Sequence, residues 1–153
     1  MSSVIHQGFG AQPVLTAFPD SPFVVMKFGG TSVSTADNWR IIAGLVRQRL
    51  EEGVRPVLVH SALSGISNAL QGMGASVEKD AEAVAMVRQR HAGLASNLGV
   101  DTALCEPLFA QLEQLVEGVR LVGETSPRVR ARIMAVGELA ATTLGAAFLE
   151  REG

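Results

Sequence analysis

The chain has 153 residues, 47% of them hydrophobic and 18% charged, and a formal net charge of −2. That length fits one domain able to bury ~70% of its unfolded surface, and the interspersed charges exclude the strongly basic face of a nucleic-acid binder. The single cysteine, Cys105, excludes an intrachain disulfide and a Cys-cluster metal site, and suits a reducing cytoplasm as a small apolar residue in or beside a helix.

Residues 1–22 carry Gly8, Gly10, Pro13, Pro19 and Pro22 without sustained periodicity. They read as an irregular leader, with a short extra strand around Val14 to Phe18 as one option. No basic stretch followed by a long apolar core marks a signal peptide. No apolar stretch reaches the ~20 residues needed to span a bilayer. The expectation is a soluble cytoplasmic protein.

The apolar run Phe23-Val24-Val25-Met26 predicts a buried strand, ending in Lys27-Phe28-Gly29-Gly30-Thr31-Ser32-Val33. A strand that closes in Lys-x-Gly-Gly before a helix gathers backbone N–H groups, a cation and two hydroxyls. Glycine suits such a place because a Cβ would block close approach of the backbone to phosphate oxygens, and because such turns often require φ > 0. The following helix adds its unpaired N–H groups and the positive end of its dipole. The chemistry alone says anion site, and an ordinary tight turn fits too. Neither a Walker A sequence nor a dinucleotide fingerprint is present.

From Ser34 the apolar spacing turns helical through Trp39, Ile42, Val46 and Leu50, with Ser34 or Thr35 as cap and Gly53 as stop. Val57-Leu58-Val59 predicts a second buried strand, and strand, helix and strand together read as a right-handed βαβ unit. That strand ends in His60 and the cluster Ser61 to Leu70. Ligands of open α/β sheets bind beyond the carboxyl ends of strands, although a helix cap with a turn would look the same.

Further on, Val77, Ala81, Val84, Val87, His91 and Leu94 form a helical stripe ending near Gly99. A second helix runs from Pro107 to Val119, and the two suggest a hairpin laid against the sheet. His91 reads as a partly exposed helix residue. The runs Arg88-Gln89-Arg90-His91 and Arg128-Val129-Arg130-Ala131-Arg132 read as solvated helix faces. Ser126 and Pro127 open a last helix whose buried stripe is Val129, Ile133, Val136, Ala140, Leu144 and Phe148. Glu138, beside that stripe and after Gly137, would need a partner if it faced inward.

The wording of three segments is more specific than their chemistry. Lys27-Phe28-Gly29-Gly30-Thr31-Ser32-Val33 resembles the opening signature of aspartate kinases, within the amino-acid kinase family. Ser61, Ala62, Gly65 and Asn68 match a similar segment after that family's second strand, with Ser67 where threonine is usual. Gly137-Glu138 matches the Gly-Glu pair of a later helix, although Ala135 replaces the usual serine. More loosely, the leader resembles kinases fused to a diaminopimelate decarboxylase.

The resemblance implies an α/β fold, the N-terminal part of an αβα three-layer sandwich with a mainly parallel sheet, over residues 23–153. It implies ATP-dependent phosphorylation of the β-carboxylate of L-aspartate, at the entry to lysine, threonine and methionine synthesis. Lys27 would be catalytic. Gly29, Gly30, Thr31 and Ser32 would bind phosphate, and Ser61, Ser67 and Glu138 would bind aspartate. Mg²⁺ would arrive with ATP and no protein-only metal cluster is visible. Only two core strands and four helices are legible. The expectation is therefore a truncated kinase lacking most of the nucleotide site, inactive alone and homo-oligomeric, with no nucleic-acid or membrane partner. The alternative is a non-catalytic anion-binding or interaction module that completes a partner's active site.

Overall fold

The computed structural model of the chain describes residues 21–74 and 76–153. The expected leader strand at 14–18 lies outside them. Strands β1 (Phe23–Phe28) and β2 (Arg55–His60) pair in parallel, with Phe23 opposite Arg55 and Phe28 opposite His60. Helix α1 (Ala36–Glu51) connects them, completing the βαβ unit. Thr35 provides the cap, its hydroxyl accepting from the Asn38 N–H, and Asp37 lies in the first turn, where its charge favours the dipole. At the other end Gly53, with φ of 81°, takes the left-handed conformation that turns the chain into β2.

Side chains alternate across each strand. Phe28 and Leu58 pack against the core on the α1 side. On the other side Phe23, Val25, Val57 and Val59 are 44–67% exposed. The expectation of buried strands is therefore corrected: one face is half-covered, and none of the described elements covers the other.

Five helices are present among the described residues rather than four. The addition is α2 (Ile66–Gln71), six residues inside the serine cluster, followed by α3 (Val77–Leu98), a 3-10 turn (Thr102–Cys105), α4 (Glu106–Val122) and α5 (Pro127–Glu152). The α3–α4 hairpin exists, but it packs on α5 rather than on the sheet. The reason is the width of the apolar face of α5. Beyond Ile133, Val136, Ala140, Leu144 and Phe148, it also buries Gly137, Ala141 and Gly145, so several elements approach it closely. Over an 18-residue window α5 reaches a mean hydropathy of 1.4, enough by length and composition to cross a membrane. This revises the sequence expectation of no such stretch. In the fold it is the central helix, with its apolar stripe forming the core.

His91 is corrected from partly exposed to buried, at 1% exposure. Its Nδ1 donates to the Val87 carbonyl one turn earlier, and its ring tilts onto Phe109. Arg88 is not merely solvated either. It bridges Glu106 and Glu113 on α4 and lies over the Phe109 ring, so it ties α3 to α4. Cys105 is buried with its thiol directed at the Ala140 carbonyl, and burial pushes its pKa up to about 11.

Candidate functional site

The turn after β1 is fixed by capturing its carbonyls from below. Gly29 C=O accepts from the Ser32 N–H at 3.0 Å, and Gly30 C=O accepts from the Ser34 hydroxyl at 2.6 Å. Thr31 C=O accepts from the Asn38 amide at 3.1 Å, and Val33 C=O from the buried Trp39 indole at 2.9 Å. In a planar trans peptide the N–H points opposite the C=O. The Gly30 N–H is thereby turned away from the Ser32 N–H, and the Thr31 N–H away from the Ser34 hydroxyl. The Phe28 carbonyl accepts from the Ser61 N–H across the sheet, so Gly29 directs its N–H off the outer edge of β1.

Neither Gly29 nor Gly30 has a positive φ, so the left-handed explanation for this glycine pair does not apply. Close approach does apply, and at Gly30 the near neighbour is protein. A Cβ there would stand 2.7 Å from the Ala62 carbonyl oxygen and 3.4 Å from the Ser64 nitrogen, whereas a Cβ on Gly29 would meet nothing within 4 Å. The glycine turn and the serine loop thus touch backbone to backbone. Thr31 is exposed and Ser32 half-buried.

Lys27 is the last but one residue of β1, on the exposed face, opposite Val59 in the register. It shares that face with Val25 and Val57, on the side of the sheet away from α1. His60, one residue before the serine loop, points the other way, edge-on to Trp39 at 5.5 Å, with its Nδ1 donating to the Ser61 carbonyl. Its position is explained by packing under the sheet.

Ser61 is half-buried at the mouth of the loop, Ser67 half-buried in the first turn of α2. Gly65, with φ of 85°, supplies the left-handed step that starts α2. The underside of this loop rests on α5. A Cβ on Gly137 would lie 2.8 Å from Ile66 Cγ2 and 3.0 Å from Ala62 Cβ. Ala62 therefore touches the glycine turn with its backbone and α5 with its side chain. Glu138 follows Gly137, half-buried, and enters none of the ion pairs found among the described residues.

Sequence reasoning missed three residues in this region. Ser34 is one of two candidate caps in the sequence; Thr35 caps, and Ser34 bridges Gly30 to the Ser64 N–H, which it accepts at 2.8 Å. Asn38 holds Thr31, and Arg90 on α3 donates to the Ser64 carbonyl at 3.2 Å. Nothing in the one-dimensional pattern distinguishes Ser34 from Thr35 as a cap, or Arg90 from its solvated neighbours. A cavity of about 460 Å³ opens between α3 and α4, lined by Val77, Val84 and Val116 among others, and none of the eight candidate residues lines it. Among the described residues no group of three or more His, Cys, Asp or Glu is arranged to hold a metal ion.

The amino acid kinase family matches the chain over residues 22–153. The chain is 32% identical over 136 residues to aspartokinase 2, chloroplastic, of Arabidopsis thaliana, covering 84% of this chain and 25% of that protein. It is 34% identical over 116 residues to an aspartokinase of Chlamydia muridarum, covering 75% of this chain and 24% of that one. In three dimensions it superposes on E. coli aspartokinase III in complex with lysine and aspartate, at a TM-score of 0.75 and 29% identity. That match covers 86% of this chain and 30% of the other. The same enzyme in complex with aspartate and ADP gives a TM-score of 0.74. The chain spans about a quarter of the length of the curated relatives it matches.

Proposed function

The chain belongs to the amino acid kinase family, and from that premise we propose that it supplies the phosphate turn and the acceptor-side groups of an aspartate kinase. Because it spans only part of its relatives, the activity, substrates and partners of a whole enzyme belong to the proposal. So does a cytoplasmic location, since the plant relatives are described as chloroplastic. The choice of ligands is supported by the E. coli aspartokinase III complexes with aspartate and with aspartate and ADP.

In the proposed reaction a β-carboxylate oxygen of L-aspartate forms a bond to the γ-phosphorus of ATP. The bond from that phosphorus to the bridging oxygen breaks, and ADP leaves with the electron pair. Such transfer needs positioning and charge stabilisation more than covalent help. Lys27 neutralises charge on the transferring phosphoryl group. The N–H groups of Gly30 and Thr31, with Gly29 and Ser32 beside them, hold phosphate oxygens in the manner of an oxyanion hole. Ser61 and Ser67 orient the acceptor, and the Glu138 carboxylate receives its ammonium. Mg²⁺ enters as the counter-ion of ATP. These residues offer an ammonium, hydroxyls, amides and one carboxylate, which is not a protein-built Mg²⁺ cage, and no step here runs through the metal.

The observation that supports this reading best is the junction at Ala62, where the glycine turn, the serine loop and the Gly137 segment of α5 meet. The test is ADP release from MgATP and L-aspartate by this chain combined with a polypeptide supplying the remainder of an aspartokinase. Release requiring both polypeptides and aspartate is expected. Two folded partners that associate without aspartate-dependent release would overturn the reading. The uncovered face bearing Phe23, Val25, Val57 and Val59 favours a second role that is compatible with the first, as a docking module for the polypeptide that completes the site.

A further inference from the structure

Resting on the kinase reading above, we propose that Ser34 is a positioning residue, whose hydroxyl locks the serine loop to the glycine turn and so aims the Thr31 N–H at the phosphate. The Ser64 N–H donates to Ser34 Oγ at 2.8 Å, and the same hydroxyl donates its one proton to the Gly30 carbonyl at 2.6 Å. This is a continuous N–H···O–H···O=C chain between the two segments that carry the candidate groups. Each end has a geometric consequence. At Gly30 the captured carbonyl fixes the plane of the Gly30–Thr31 peptide, and planarity sends the Thr31 N–H to the opposite side. At Ser64 the captured N–H is withdrawn from ligand binding and the loop is held at the height of the turn.

Other contacts make this hydroxyl hard to replace. The Gly30 carbonyl has a second donor, the Val33 N–H, but at 3.3 Å. Ser64 is also held by Arg90, which donates to its carbonyl at 3.2 Å and, having no acceptor, cannot take over the Ser64 N–H if Ser34 is lost. Helix capping makes no demand on Ser34, because Thr35 performs it. Ser34 is half-buried, so removing its oxygen leaves the hydrophobic core untouched.

The experiment uses the whole 153-residue chain as wild type, Ser34→Ala and Ser34→Thr, the last restoring the hydroxyl. Amide exchange at Ser64 is followed by NMR, then the Thr31 amide is titrated with inorganic tripolyphosphate. Ser34→Ala is expected to speed Ser64 exchange roughly tenfold and weaken tripolyphosphate binding at Thr31 roughly fivefold, the scale of one lost hydrogen bond. Ser34→Thr recovers both. Ser64 exchanging at the unprotected rate in the wild type overturns the lock without any variant. Equal tripolyphosphate binding by wild type and Ser34→Ala overturns the positioning role. A protected Ser64 beside a Thr31 amide that ignores tripolyphosphate overturns the kinase reading itself while the lock stands, so the two failures are distinct.

Discussion

The Trp39 indole fills the space beside Gly145, so that a Cβ on residue 145 would fall inside the six-membered ring's van der Waals envelope. Trp39 is 1% exposed and donates through Nε1 to the Val33 carbonyl at the end of the glycine turn. The absence of a side chain on the central helix thus sets how deeply α1 seats, and α1 in turn sets the turn. Gly145→Ala is expected to lower stability by ~1–3 kcal/mol through overpacking, despite the better helix propensity of alanine. Gly93 on α3 is the control. A Cβ there meets nothing within 4 Å, so Gly93→Ala should raise stability by ~0.5–1 kcal/mol. Urea unfolding monitored by Trp39 fluorescence reads both, and equal effects of the two substitutions would sink the packing argument.

Gly29 and Gly30 give a second contrast at adjacent positions. Alanine at 30 must push the Ala62 carbonyl away, while alanine at 29 meets open space. Gly30→Ala is expected to cost ~1–3 kcal/mol and to displace the amide resonances of residues 62–64. Gly29→Ala should leave those resonances in place. Identical spectra for the two variants would show that the turn and the loop are not in contact.

His91 ties stability to pH. Burial, the largest influence, holds its pKa below the ordinary 6.5, and the neighbouring Arg90 charge acts in the same direction, while contacts to the Val87 and Gly137 carbonyls oppose it. The Gly137 carbonyl approaches the ring, yet Nε2 closes no hydrogen bond. The folded chain keeps His91 neutral where the unfolded chain begins to take a proton. The stability it contributes is therefore complete above pH 6.5 and lost as pH falls from there toward the depressed folded value. The urea midpoint should fall across that window, and His91→Phe, which fills the space without titrating, should flatten the slope.

The legible features were those written locally. Caps at Ser126 and stops at Gly53 and Gly99 follow from chain-terminating chemistry, and the stripe of α5 from 3.6-residue spacing. The stripes of α1 and α3 hold at Trp39 and Ile42 and from Val87 to Leu94, while Leu50, Val77 and Ala81 at their ends are exposed. The six residues of α2 are too few to show a period, and α2 starts on Gly65 without a side-chain cap. His91 was misplaced because polarity argued for exposure, whereas the helix carbonyl at Val87 satisfies its Nδ1 inside the core. Burial of β1 and β2 was overstated because an apolar run records a preference for cover without saying what supplies it. In the candidate site, the order of the glycine turn, serine loop and Gly137 segment was readable. Their junction at Ala62 and the bridging role of Ser34 depend on contacts across about 30 and 75 residues of chain, which no local pattern encodes.

The uncovered sheet face predicts association. Val25 is 67% exposed and lies opposite Val57, itself 44% exposed, on strands whose outer edges have no partner among the described residues. Such a face tends to be covered by another chain. Light scattering over a concentration series should show an average mass rising above 16.1 kDa for the wild type. Val25→Lys, which places a charge at the centre of the face, should hold the mass near the monomer. A monodisperse wild-type monomer throughout would remove this face as an interface between copies of this chain.

Lys27 permits the cleanest separation of chemistry from folding. Its side chain is exposed at the end of β1, on the side away from α1, and it enters no ion pair found among the described residues. Truncation at such a position is expected to change stability by no more than ~0.5 kcal/mol. The proposed reaction, in contrast, asks this ammonium to face a phosphoryl group whose charge is being redistributed, and loss of one such preorganised group costs ~10²–10³ in turnover. In the assembled kinase, Lys27→Ala should therefore keep the unfolding curve and lose turnover by that factor, while Lys27→Arg should retain more activity by keeping the charge with altered reach. Near-normal turnover by Lys27→Ala would take Lys27 out of the mechanism. Parallel loss of stability and turnover would assign it to the fold instead.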